Sequence, residues 1–256
     1  MKEDILQDKI RQANAQGRKA LIPYLPAGFP GLDAFWEEIQ ALDAGGADII
    51  EIGVPFTDPV ADGPVVEEAA QECLEQGVNL TWILDGLRAR RTKLQAGLVL
   101  MGYVNPFMRY GWVKLAQDAA QAGVQGIIVP DLPLEENDHI EKVLSEQGIT
   151  LISLVGLNTN PERMQAYAQR ARGFVYFVSV LGTTGSKSTL PPILIQQLHQ
   201  ARDIFSQPVA LGFGLSSPEQ LHGLEDNVDA VVFGSALIQH LRAGGNSRDF
   251  LARWRT

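Results

Sequence analysis

Residues 47–64 read ADIIEIGVPFTDPVADGP. The first six have the apolar, β-branched character of a strand entering a core, apart from Asp48 at its start and Glu51 near its end. The rest, which carries Asp58 and Asp62, is too polar and too broken by proline and glycine to pack as a helix. A buried strand that ends in a carboxylate and opens into a long polar loop is the pattern of an α/β protein, in which the loops after the strands carry the chemistry.

Working outward, short apolar runs at 20–25, 48–52, 97–101, 126–129, 150–155, 174–178, 208–211 and 230–233 read as strands. Segments with helical spacing lie between and after them, at 32–44, 65–76, 82–95, 113–122, 135–147, 161–170, 193–204, 218–224 and 235–254. Runs that are apolar throughout imply parallel strands with helices covering them. Eight strands alternating with helices in 256 residues predict a (β/α)8 TIM barrel with an extra N-terminal helix, as a single domain over 1–256. A doubly wound open sheet is the alternative, but LPAGFPG after the first strand does not match the G-x-G-x-x-G fingerprint. Two connections are long, 53–64 after the second strand and 181–192 after the sixth.

Composition narrows the classes of function. A formal charge of −9 and no basic stripe argue against nucleic-acid binding. The lone Cys73 excludes an internal disulfide and reads as a structural thiol on a helix. No run is long and apolar enough to span a bilayer, and the charged N-terminus has no secretory apolar core, so a cytoplasmic location is expected.

Glu51 and Asp62 are the candidates for acid/base work. A carboxyl at the mouth of an apolar barrel loses solvation, which raises its pKa toward neutrality, while a second carboxylate in a more polar setting stays ionised. For Asp58 and Asp62 the alternative is a helix cap or a turn beside Pro59 and Gly63, and for Asp58 that reading is preferred. The stretches GFGLSSPEQ (212–220) and FGSALI (233–238) each run from a strand through glycine into a helix start, and GTTGSKST (182–189) adds a glycine-bearing loop with hydroxyls. Such turns either bind an anion through backbone amides or only allow a tight strand-to-helix connection. The position of the first two after the last two strands favours a phosphorylated small molecule. No lysine falls at a strand end where a Schiff base could form, and the four histidines lie in helical segments without metal-ligand spacing. Acid/base chemistry by carboxylates on a phosphate ester remains.

With PYLPAGFP (23–30), LMGYVNPF (100–107), VPDLPLEE (129–136) and LGTTG (181–185) in the same order around these motifs, the chain resembles the tryptophan synthase alpha subunit over 21–238. The resemblance implies a lyase that cleaves indole-3-glycerol phosphate to indole and glyceraldehyde 3-phosphate without a metal or cofactor of its own. It implies Glu51 as catalytic acid/base and Asp62 as the carboxylate at the indole N–H. Tyr24, Tyr103, Tyr176 and Thr184 match substrate-binding positions, and Gly185, Gly214, Gly234 and Ser235 match the phosphate cradle. It also implies a beta subunit in an alpha2-beta2 assembly, which holds pyridoxal phosphate and receives the indole. Docking is expected around Asp58-Pro59 and Asn105-Pro106. A lyase that needs no partner, and a weakly active binding or allosteric subunit, are the alternative readings. The chain departs from the family pattern at Pro26 and Phe29, where threonine and aspartate are common, and at Val180, where some members carry arginine.

Overall fold

The computed structural model describes residues 4–179, 192–212, 215, 217–221 and 224–255. In chain order they form α1 (Ile5–Ala15), β1 (Ala20–Pro26), α2 (Leu32–Gly45), β2 (Ile49–Gly53), α3 (Pro64–Glu75), α4 (Leu80–Arg88) and β3 (Gly97–Met101). Then come α5 (Val104–Tyr110), α6 (Trp112–Ala122), β4 (Gly126–Ile128), α7 (Asp138–Glu146), β5 (Thr150–Leu151), β6 (Ser153–Gly156) and α8 (Pro161–Ala168). The last are β7 (Val175–Val178), α9 (Pro192–Ile204), β8 (Val209–Gly212), β9 (Ala230–Phe233), α10 (Ser235–Arg242) and α11 (Ser247–Ala252).

All strand pairs are parallel, and the order across the sheet is β5-β4-β3-β2-β1-β9-β8-β7-β6. The two ends of that row, β5 and β6, are one length of chain interrupted at Ile152, so the sheet curls into a nearly closed barrel. The expected strand 150–155 is therefore two pieces: its first half pairs with β4 and its second with β7. Ile152 N–H still bonds the Ile127 carbonyl at 2.9 Å, and just past β4 the Val129 carbonyl accepts Leu132 N–H at 3.2 Å in a turn. Strands β1, β2, β3, β8 and β9 are buried along their whole length, as a barrel wall covered by helices requires.

Helix α1 covers the end of the barrel where the strands begin. Asp4 caps it by accepting Leu6 N–H at 3.1 Å, and also takes a hydrogen bond from the Thr150 hydroxyl at 3.0 Å. Leu6 lies over Gly97 and Gly126, where added β-carbons would come within 2.8 and 2.7 Å of its side chain. Asn14 donates to the Asp229 carbonyl at 2.8 Å, and Arg18 grips Asp48 with two bonds of 2.7 and 2.8 Å. With that end closed, the carboxyl ends of the strands form the open face.

Several helices differ from expectation. α4 starts at Leu80 and stops at Arg88 rather than running over 82–95. Residues 134–136 form one 3₁₀ turn before α7, and residues 218–221 form another where a helix over 218–224 is expected. The expected helix 235–254 is two helices, broken at Gly244, whose φ of 82° suits a residue without a side chain.

Candidate active site

Glu51 lies near the end of β2, paired in register with Tyr24 of β1 on one side and Val99 of β3 on the other. Strand alternation turns it toward the barrel interior while Ile50 and Ile52 point outward. It is fully buried, and among the described residues neither carboxyl oxygen has a hydrogen-bond partner. A carboxylate in that setting would lose hydration with nothing in exchange, so the protonated form is favoured. Burial, followed by repulsion from Asp62, moves its pKa from 4.5 to about 8.

Asp62 stands at the end of the loop after β2. Gly63, not Asp62, precedes the first turn of α3, and no side chain caps that helix, so the cap reading for Asp62 does not hold. Half-buried, it has a pKa pushed up to about 6, chiefly by burial, with a hydrogen bond from Tyr103 working in the opposite direction. Asp58 is exposed in a turn, where it accepts the Thr57 hydroxyl at 2.6 Å and its carbonyl takes Val60 N–H at 3.0 Å, in keeping with its expected role.

The three tyrosines converge on this pair. Tyr24 and Tyr176 are buried, and both phenols are pushed well above their ordinary pKa by burial and by the negative charges of Asp62 and Glu51. The Tyr103 hydroxyl accepts Ala61 N–H at 3.0 Å, and its ring lies 5.4 Å from that of Phe56.

Glycines at the strand ends make room for the rings. A β-carbon at Gly53 would lie 2.2 Å from the Tyr24 hydroxyl, and one at Gly234 would lie 2.8 Å from the Tyr24 ring. At Gly212 it would meet the Tyr176 ring at 2.3 Å. Gly234, expected as an anion ligand, thus has a packing reason as well. It immediately precedes α10, whose first residue is Ser235, and no side chain caps that helix. Among the described residues, then, no capping side chain occupies the first-turn amides of α10, an arrangement that suits an anion. Thr184, Gly185, Gly214 and Val180 lie outside the described residues.

Sequence reasoning missed Gly53, Gly212, Phe56 and Ser179. Ser179 is buried at the end of β7 and its hydroxyl donates to the Gly212 carbonyl at 3.0 Å. For the two glycines the relation lies across the sheet, where Gly53 pairs with Pro26 and Gly212 with Val178. Of the departures, Pro26 ends β1, and Phe29 is buried with the Arg242 guanidinium 5.5 Å from its ring centre. Cys73 is a free, buried thiol pushed up to about 12, first by burial. Among the described residues no group of three His, Cys, Asp or Glu converges as metal ligands, and no helix is long and apolar enough to cross a membrane.

A parallel barrel with a desolvated glutamic acid facing a second carboxylate at its open mouth has the frame of an acid/base enzyme for a small molecule. The sequence profile of the tryptophan synthase alpha chain matches residues 10–254. The chain is 60% identical over 255 residues to the tryptophan synthase alpha chain of Solidesulfovibrio magneticus, covering 100% of both sequences. It is 58% identical over 249 residues to that of Nitratidesulfovibrio vulgaris, covering 97% of each. Tryptophan synthase of M. tuberculosis in its aminoacrylate-bound form superposes with a TM-score of 0.88 at 31% identity, over 98% of both chains. The alpha chain from Legionella pneumophila gives 0.85 at 31% identity, over 98% of this chain and 94% of the other. The chain belongs to the tryptophan synthase alpha chain family. It is a carbon–carbon lyase of tryptophan biosynthesis that cleaves indole-3-glycerol phosphate and partners with a beta subunit, to which the indole passes.

Proposed function

We propose that Glu51 and Asp62 carry this cleavage as an acid/base pair, with the protein working as a single barrel domain. The observation that supports the reading best is the buried Glu51 carboxyl with no partner for either oxygen. An acid kept protonated near neutral pH can give its proton to the indole ring carbon that bears the glycerol chain. The ring then carries positive charge at its nitrogen, and the ionised Asp62 holds that N–H and stabilises the charge. As the bond from ring to glycerol chain breaks, its electrons return to the ring and neutralise it. The hydroxyl on the departing carbon becomes the aldehyde and gives its proton to the Glu51 carboxylate. Indole and glyceraldehyde 3-phosphate result, and Glu51 is restored to its acid form.

Tyr24, Tyr103 and Tyr176 wall the ring pocket in this reading. Thr184 closes it, and backbone amides of Gly185, Gly214, Gly234 and Ser235 hold the phosphate. Pyridoxal phosphate belongs to the beta subunit, and the assembly is alpha2-beta2 in the cytoplasm. Docking falls on the loop with Asp58 and Pro59 and on α5 with Asn105 and Pro106, next to the exposed apolar Val60 and Met108. The test is indole release from indole-3-glycerol phosphate by the purified chain, with and without beta subunit. Faster release with the partner is expected, and absence of indole from both mixtures contradicts the reading.

A further inference from the structure

Loop 54–63 carries Asp62 but has no helix or strand of its own, and Val60 within it is 84% exposed. A side chain on such a segment keeps a fixed place only where the segment is anchored. Val54 N–H donates to the Met101 carbonyl at 2.7 Å, which secures the strand end. Two further bonds, Val60 N–H to the Asp58 carbonyl at 3.0 Å and Asp62 N–H to the Pro59 carbonyl at 3.1 Å, stay within the loop. At the loop's end the Gly63 carbonyl accepts the Val66 and Glu67 N–H of α3, each at 3.0 Å, and ahead of Asp62 the Ala61 N–H donates to the Tyr103 hydroxyl at 3.0 Å, a tie to a different element. The Phe56 ring packs on that same tyrosine at 5.4 Å. Tyr103 is itself held firmly: it is 3% exposed, it precedes the first turn of α5, and Asp131 accepts the following Val104 N–H at 2.9 Å.

We propose that Tyr103 is the positioning residue for Asp62: its ring against Phe56 and its phenol oxygen on Ala61 N–H fix loop 54–63 so that the Asp62 carboxylate stands at the barrel mouth opposite Glu51. The inference rests on the reading of Asp62 as the ionised member of the pair. Since the phenol oxygen accepts from Ala61, its proton is available to Asp62, and a hydrogen bond to the charged form favours ionisation. Among the described residues the other groups facing Asp62 are Glu51 of β2, Glu67 of α3, Tyr24 of β1 and Tyr176 of β7, and none of these is a cation. Tyr103 therefore opposes burial and Glu67, both of which disfavour the charge. A tyrosine that only walls the substrate pocket would have no such effect.

The test is Tyr103→Phe in the full chain, with Phe56→Leu as a second variant that leaves the hydroxyl in place. Carboxyl NMR titration is expected to show the Asp62 midpoint rising by about one pH unit in Tyr103→Phe. The Ala61 amide should exchange at least about tenfold faster in both variants. With the beta subunit present, the acid limb of kcat for Tyr103→Phe should move up with the Asp62 midpoint while KM changes less than about twofold. An unmoved Asp62 midpoint with unchanged Ala61 exchange, or a raised KM alone, overturns the proposal. Titration and exchange need no substrate, so they read the clamp even if wild-type protein released no indole, a result that would strike the proposed function instead.

Discussion

The Tyr24 hydroxyl occupies the space that a side chain at residue 53 would need, since a β-carbon on Gly53 would lie 2.2 Å from it. Gly53→Ala should therefore displace the Tyr24 ring next to Glu51, at a cost of about 1–3 kcal/mol, the usual range for overpacking. Thermal melting together with indole release checks this. A variant with unchanged melting and turnover would show that Tyr24 moves aside freely.

The pH dependence follows from two carboxyls with different surroundings. Asp62 must be ionised and Glu51 protonated, so kcat/KM should rise through about pH 6 and fall through about pH 8. The limbs belong to the pair, because each charge raises the cost of the other. Asp62→Asn should abolish the acid limb along with most of the activity. A profile flat from pH 5 to 9 in the wild type would be inconsistent with this assignment.

Stability should carry the same signature. The Glu51 carboxyl binds its proton more tightly in the folded protein, with a pKa moved from 4.5 to about 8. Its stabilising contribution is thus fully present below the unfolded value and is lost as pH rises through about 8. Glu51→Gln, which cannot ionise, should be more stable than wild type at pH 9 by on the order of a few kcal/mol, and similar to it at pH 4. Urea denaturation at the two pH values measures the difference, and equal stability at pH 9 would mean that Glu51 ionises without strain.

On the proposed docking face, Val60 is 84% and Met108 59% exposed. Val60→Asp and Met108→Glu should each weaken beta-subunit affinity by about tenfold or more while leaving the melting temperature of the isolated chain unchanged. Calorimetric titration reads this, and wild-type affinity in both variants would move the docking surface elsewhere.

The barrel was legible because most of its strands are buried along their length and so read as short, mainly apolar runs. Gly97–Met101 and Ala230–Phe233 match their expected bounds at both ends. The break at Ile152 was not legible, since it lies in which neighbour each half pairs with, β4 for the first and β7 for the second. Helix α5 is absent from the segments with helical spacing, because it is only seven residues long and carries Pro106 in its first turn, where proline is tolerated. The division at Gly244 was written in the sequence as Gly244-Gly245-Asn246-Ser247, a helix stop followed by a cap, since Asn246 accepts Asp249 N–H at 2.9 Å. The burial of Glu51 was legible because it sits near the end of an apolar strand, whereas the place of Asp62 depends on how the loop after β2 folds back. The glycines serving Tyr24 and Tyr176 were not legible, because their reason lies across the sheet.

The most direct measurement of the central claim is a single-turnover assay of indole-3-glycerol phosphate cleavage by Glu51→Gln with the beta subunit present. If Glu51 moves the protons, the rate should fall at least about a hundredfold while substrate binding stays near the wild-type value. Near-normal cleavage by that variant would make Glu51 a structural residue and would contradict the account.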